Sequence, residues 1–114
     1  RPPYNVSVLN AECARYSIAH AGEYARQAAL IKAERARLQA ALAVMPDLRQ
    51  WPSEANMLLV RVPDSARTFA ALKARGVLVK HGAALHPLLV NCLRLTVGTP
   101  PENDALIAAL KESL

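Results

Sequence analysis

The tightest constraint on the fold is the stretch from Asn91 to Asn103, Asn-Cys-Leu-Arg-Leu-Thr-Val-Gly-Thr-Pro-Pro-Glu-Asn. From Cys92 to Val97 it alternates, with Leu93, Leu95 and Val97 on one face and Cys92, Arg94 and Thr96 on the other. That is the two-residue period of a strand with one apolar face. The pattern stops at Gly98 and a helix begins. Thr99 is a good N-cap, Pro100 suits the first helical position because its missing N–H would be an orphan there, and Glu102 completes a T-x-x-E capping box. A strand therefore carries one arginine, Arg94, on its less apolar face, with a well-capped helix locked behind it.

The rest of the chain divides by its punctuation. Arg1 to Asn5 reads as extended, since its prolines fix φ and restrict the residue before them. Asn5 or Ser7 caps a first helix reaching about Ser17–His20, with Leu9, Cys13, Tyr16 and His20 as its expected inner stripe. His20-Ala21-Gly22 marks a break, and His20 is expected at the edge of the core. Residues 23–45 form the longest helix, whose buried stripe is Ile31, Leu38, Leu42 and Met45. Glu23, Arg26, Lys32, Glu34 and Arg37 fall off that stripe, where Glu23 with Gln27 and Glu34 with Arg37 give weak support along the helix. Pro46 ends it. A connector follows to Ser53, with Trp51 expected to lid the core.

Residues 56–62 form a strand apolar on both faces until Arg61, as in a middle strand or one whose outer face meets another domain. Asp64 or Ser65 caps a helix through Phe69, Leu72 and Arg75, with Gly76 as its left-handed C′ residue and Val77 as the hydrophobic partner beyond. Val77 to Lys80 is a short second strand, His81 to Val90 a loop, residues 91–97 the third strand. The last helix runs from Pro100 to Lys111, with Leu106, Ile107, Leu110 and Leu114 facing inward. The unit 54–114 is thus β-α-β-β-α. A right-handed crossover makes its first two strands parallel, and the third returns antiparallel to fill the gap in a split β-α-β arrangement. The expected class is α+β: a small three-stranded sheet covered on one face by helices, preceded by a helical segment over residues 1–50, all in one domain spanning 1–114.

The chain of 114 residues is large enough for one modest core. Its 53% hydrophobic content, rich in Ala and Leu, is that of a globular helix-rich protein. No apolar run approaches the ~20 residues of a membrane span, and the opening Arg1-Pro2-Pro3 has no secretory signal, which reads as a piece of a longer, cytoplasmic protein. The formal charge of +5 raises nucleic acid as a partner, but the cations (Arg15, Arg26, Lys32, Arg35, Arg37, Arg49, Arg61, Arg67, Lys73, Arg75) are spread along the chain, mostly on helix surfaces, so no nucleic-acid partner is expected. Cys13 and Cys92 are expected as two buried free thiols.

Two residues stand out chemically. If the second and third strands pair beside their connecting loop, Lys80 lies near Arg94, both on the less apolar alternation with Leu78, Cys92 and Thr96. Like charges across antiparallel strands repel by roughly 0.2–1 kcal/mol, a cost that a shared anion would relieve. Arginine reads carboxylate or phosphate with two parallel hydrogen bonds. Spacing alone leaves Arg94 as either an anion reader or an interface or surface arginine. His20, His81 and His86 lack metal-ligand spacing, and no metal site is expected; His81 and His86 either line a substrate entrance or belong to a plain solvated loop. No hydrolase triad or Gly-rich phosphate loop appears.

The stretch Cys92-Leu93-Arg94-Leu95-Thr96-Val97-Gly98-Thr99 with Glu102-Asn103 resembles the C-terminal signature of histidinol-phosphate aminotransferases. Arg1-Pro2-Pro3-Tyr4-Asn5-Val6-Ser7, Pro52-Ser53-Glu54-Ala55-Asn56 and Gly76-Val77-Leu78-Val79-Lys80 extend the resemblance in order across nearly the whole chain. It implies the small C-terminal domain of a pyridoxal 5'-phosphate-dependent aminotransferase acting on histidinol phosphate with glutamate or 2-oxoglutarate. Its partners would be the large cofactor-binding domain of the same polypeptide and a second copy in a homodimer. The resemblance assigns Arg94 to the substrate's anionic group. Lys80 stands where the family often has an arginine, keeping the charge without the fork. The lysine that bonds the cofactor would lie in the large domain, so no catalytic or cofactor-binding residue is expected here. A threonine-phosphate decarboxylase-like domain and a non-catalytic α/β interaction or ligand-sensing domain are the alternative expectations.

Overall fold

The computed structural model describes residues 5–114. The extended opening expected at Arg1 to Asn5 lies, but for Asn5, outside them. Contacts group the chain into two compact units, Arg1–Leu30 and Ile31–Leu114.

In the first unit, helix α1 spans Val8–Ala19, and helix α2 begins at Ala21 and runs on to Ala43. Ser7 is the N-cap of α1, its hydroxyl accepting from the Asn10 N–H at 3.1 Å. His20 forms the break, with Nδ1 2.7 Å from the Tyr16 carbonyl and its ring stacked on Tyr16. The expected inner stripe is not buried: Leu9, Cys13, Tyr16 and His20 are all exposed, and α1 contains no buried residue. A stripe is buried only where another layer covers it, and the described residues of this unit hold no such layer. Cys13 is accordingly an exposed thiol, whereas Cys92 is buried as expected; both are free.

The second unit is a layer of helices on one face of a four-stranded antiparallel sheet. Strands β1 (Arg49–Gln50), β2 (Met57–Arg61), β3 (Lys80–His81) and β4 (Cys92–Thr96) stand in the order β1-β2-β4-β3. The expected insertion of the last strand between the two others is what forms. The fourth strand, β1, was not expected; a two-residue element has no periodicity to show, and Trp51 N–H continues its pairing to Leu59 O at 3.2 Å. Pairing of β2 with β4 sets Leu58 opposite Leu95 and Val60 opposite Leu93. These four side chains are fully buried together with Leu38 and Leu42 of α2, Leu72 of helix α3 (Ser65–Ala74) and Leu110 of helix α4 (Pro100–Ser113). Burying each such side chain contributes about 1.5–3 kcal/mol. Ile31, expected in the stripe, is exposed.

Strand β3 is shorter than the expected Val77–Lys80, because its beginning serves the helix before it. Gly76, at φ 77°, turns the chain, its N–H donating to Lys73 O and that of Val77 to Leu72 O, each at 3.0 Å. This paired closure of the α3 C-terminus is the Schellman arrangement. Asp64 caps the other end of α3, accepting from the Arg67 N–H at 3.0 Å. The connector to β4, expected as plain loop, contains a 3-10 turn at Pro87–Leu89.

Glu34 also departs from expectation. Placed off the stripe by its charge, it is buried, because Arg37 and Asn103 give its carboxylate a full set of partners. Arg37 donates to both carboxylate oxygens (3.1 and 2.8 Å) and reaches Asp104 at 2.6 Å. Asn103, 1% exposed, donates from Nδ2 to Glu34 (2.8 Å) and to Gly98 O (3.0 Å), and accepts from Gly98 N–H (2.9 Å). The capping box of Thr99 and Glu102 forms as expected, with Thr99 N–H donating to the Glu102 carboxylate at 2.8 Å. The end of β4, the start of α4 and α2 are thereby tied at one point.

Asn103→Ala takes one donor from the Glu34 carboxylate and strands both Gly98 backbone groups, and should lower unfolding free energy by about 2 kcal/mol in urea titrations. The Arg37 fork, and after it Asn103, holds the Glu34 carboxyl below its ordinary value of 4.5. A carboxyl whose folded value is depressed adds stability that is fully present above the ordinary value and lost as pH falls through the folded one. Unfolding followed from pH 7 (neutral) downward should therefore show stability falling below about pH 4.5, with a shallower fall in Glu34→Gln.

Candidate anion-binding site

The sheet has a second face, turned away from the helices. Alternation places Met57, Leu59 and Arg61 of β2 there, with Arg94 and Thr96 of β4 and Lys80 of β3. Register makes Lys80 the direct cross-strand partner of Arg94, whose other neighbour is Leu59. The expected juxtaposition of the two cations is therefore present. Both are exposed, and among the described residues neither is in an ion pair.

Arg94 and Lys80 line one open cavity of about 340 Å³ with Pro52, Ser53, Met57, Leu59, Gly82, Leu85 and Leu89. Its floor and far wall are apolar, its charge comes from two cations, and no carboxylate lines it. The near wall is Pro52 and Ser53, which open the turn that runs on through Glu54, Ala55 and Asn56. Ser53 Oγ donates to Met57 O at 2.6 Å and accepts from Ala55 N–H at 3.1 Å, and Arg35 clamps the turn from α2 through Glu54 and Ala55 O. The opposite wall begins at Gly82, whose N–H donates to Cys92 O at 2.9 Å. A Cβ there would stand 3.0 Å from that oxygen and 3.2 Å from Leu89 Cβ, so glycine is what lets the loop lie against β4.

Two further cations share this face. Arg49 is paired with Arg61, and their guanidinium carbons lie 5.1 and 5.3 Å from the Trp51 ring centroid. Trp51, expected to lid the core, instead stands half-buried with both arginines against its ring. Arg61 also donates to Leu88 O at 2.9 Å, holding the loop that walls the cavity. Cations scattered along the sequence are therefore gathered on one sheet face by strand order.

The histidines do other work. His86 Nδ1 accepts from the Leu88 N–H at 3.1 Å and caps the 3-10 turn. His81 does not line the cavity: its ring is stacked on Phe69, with Nε2 2.7 Å from Ser65 Oγ. Among the described residues no group of three or more His, Cys, Asp or Glu side chains could hold a metal ion. No helix among them is long and apolar enough to cross a membrane.

Pyridoxal phosphate needs a Schiff-base lysine with an acid for the ring nitrogen and a phosphate cradle. Lys32, Lys73 and Lys111 are exposed on helices, and no acid lines the cavity that Lys80 lines. Sequence reasoning missed Asn91 as an individual. It sits at φ 58°, a left-handed conformation that asparagine tolerates, and starts β4 with Val62 N–H bonded to its carbonyl at 2.9 Å.

No protein-family model matches the chain. A decarboxylase from Sulfurospirillum multivorans superposes with a TM-score of 0.81 over 98% of this chain and 30% of its own, at 26% identity. The fold is of the aminotransferase type. More particularly, the chain is 65% identical over 97% of its length to the histidinol-phosphate aminotransferase of Methylibium petroleiphilum, and 54% identical over all of it to that of Polaromonas naphthalenivorans. It is thus a relative of histidinol-phosphate aminotransferases. It spans about 30% of the length of the first and 31% of the second.

Proposed function

We propose that these 114 residues are the C-terminal small domain of a cytoplasmic, homodimeric histidinol-phosphate aminotransferase, and that Arg94 holds the anionic end of its substrate. The observation that carries the reading is the open face itself. An exposed arginine with no acid beside it stands across from a lysine, over an apolar floor, in a chain whose relatives at 65% and 54% identity carry that name. The decarboxylase match, at 26% identity, supports the same fold with a weaker claim on chemistry.

An anion seated between Arg94 and Lys80 relieves their mutual repulsion and takes two parallel hydrogen bonds from the guanidinium. Lys80 adds a point charge without directionality, so orientation falls to Arg94. The contribution is positioning of a reactant. Pyridoxal phosphate, held by the remainder of the longer protein, supplies the electron sink for amino transfer between histidinol phosphate and 2-oxoglutarate.

In the full-length enzyme, Arg94→Ala should lower kcat/KM for histidinol phosphate by about a hundredfold, with Arg94→Lys recovering less than a tenth of the loss because the fork is gone. An unchanged kcat/KM in Arg94→Ala rejects the assignment. The 114-residue chain incubated with pyridoxal phosphate and borohydride should acquire no stoichiometric adduct. Modification of one lysine at full occupancy would show that the chain holds cofactor unaided.

A further inference from the structure

Ser65, the first residue of α3, is where the two cation-bearing strands meet. Its backbone N–H donates to Asn91 Oδ1 at 3.2 Å, one residue ahead of β4, and its hydroxyl lies 2.7 Å from His81 Nε2, in the second residue of β3. Ser65 is 3% exposed, so this junction is shielded from water. Phe69, one turn along α3, stacks on the His81 ring with centroids 5.5 Å apart and planes 18° from parallel. Alternation sends His81 toward α3 and its neighbour Lys80 to the open face.

The two strands differ in how firmly they are held. β4 is central, paired with β2 from Met57↔Thr96 to Arg61↔Cys92, so Arg94 keeps its place whatever happens at the edge. β3 is an edge strand with only Lys80↔Arg94 and His81↔Leu93, extended by the Gly82 N–H to Cys92 O bond. So short a ladder does not seat itself. Just ahead of it Val79 packs against the core, and within the strand His81 is the side chain that ties it to α3.

Building on the anion site described above, we propose that His81, held by Ser65 and Phe69, is a positioning residue: it seats β3 on β4 and so keeps Lys80 beside Arg94, touching no substrate itself. Release of His81 lets the edge strand drift and takes the ammonium away from the bound anion, leaving the guanidinium in place.

The test is a double-mutant cycle in the full-length enzyme, reading kcat/KM for histidinol phosphate with thermal midpoints alongside. Lys80→Ala and His81→Ala should each lower kcat/KM about tenfold, and the double variant should fall no further than Lys80→Ala alone. His81→Gln, which retains a hydrogen-bonding group for Ser65, should recover most of the loss. If His81→Ala does not fold, Ser65→Ala takes its place in the cycle. Additive losses in the double variant, or a full kcat/KM in His81→Ala beside an impaired Lys80→Ala, overturn the proposal and leave the anion site standing. Unchanged kcat/KM in both Arg94→Ala and Lys80→Ala removes the anion site, and the positioning role goes with it.

Discussion

The register between β2 and β4 is what the rest of the structure depends on. Leu58 against Leu95 and Val60 against Leu93 put four apolar side chains under the helices, and the same pairing turns Leu59 and Arg94 outward together. Because side chains alternate with a period of two, a slip of one residue would drive the Arg94 guanidinium into the core and expose the leucines. Hydrophobic burial and placement of the arginine are thus one choice. The lock at the end of β4, where Asn103 holds both backbone groups of Gly98 and joins Glu34, fixes where the strand stops and so backs that choice.

Charge is sorted between the two sides of the sheet. Six acids have partners on the helices and turns: Glu34 and Asp104 with Arg37, Glu54 with Arg35, Glu112 with Arg75, and Asp64 and Glu102 as caps. The open face carries Arg49, Arg61, Arg94 and Lys80 with no acid of its own among the ion pairs found. An overall charge of +5 therefore need not mean a surface for polyanions. Part of the surplus is concentrated over an apolar floor, a setting for a small anion with an apolar body.

Much of this was legible locally. The capping box at Thr99 and Glu102, the Asp64 cap, the left-handed Gly76 and the alternation through Arg94 are set by neighbours three or four residues away or fewer, and each formed as its residues implied. Long-range partners were not legible. Glu34 looks like a solvated helix residue until Asn103 is brought to it, and Leu9 and Tyr16 look like a core stripe though both are exposed. Trp51 looks like a core lid until strand order sets two arginines against its ring.

By itself the sequence determined the four helices and the strands β2 and β4, which face of β4 is apolar, and that one arginine stands on the other. Those follow from periodicity and capping, which act over a turn or a pleat. Tertiary structure alone decided that Arg49 and Arg61 join Lys80 and Arg94 on one face, and that His81 turns inward to Ser65. These depend on strand order and register, which are settled by packing of the whole sheet against its helices and have no local signature.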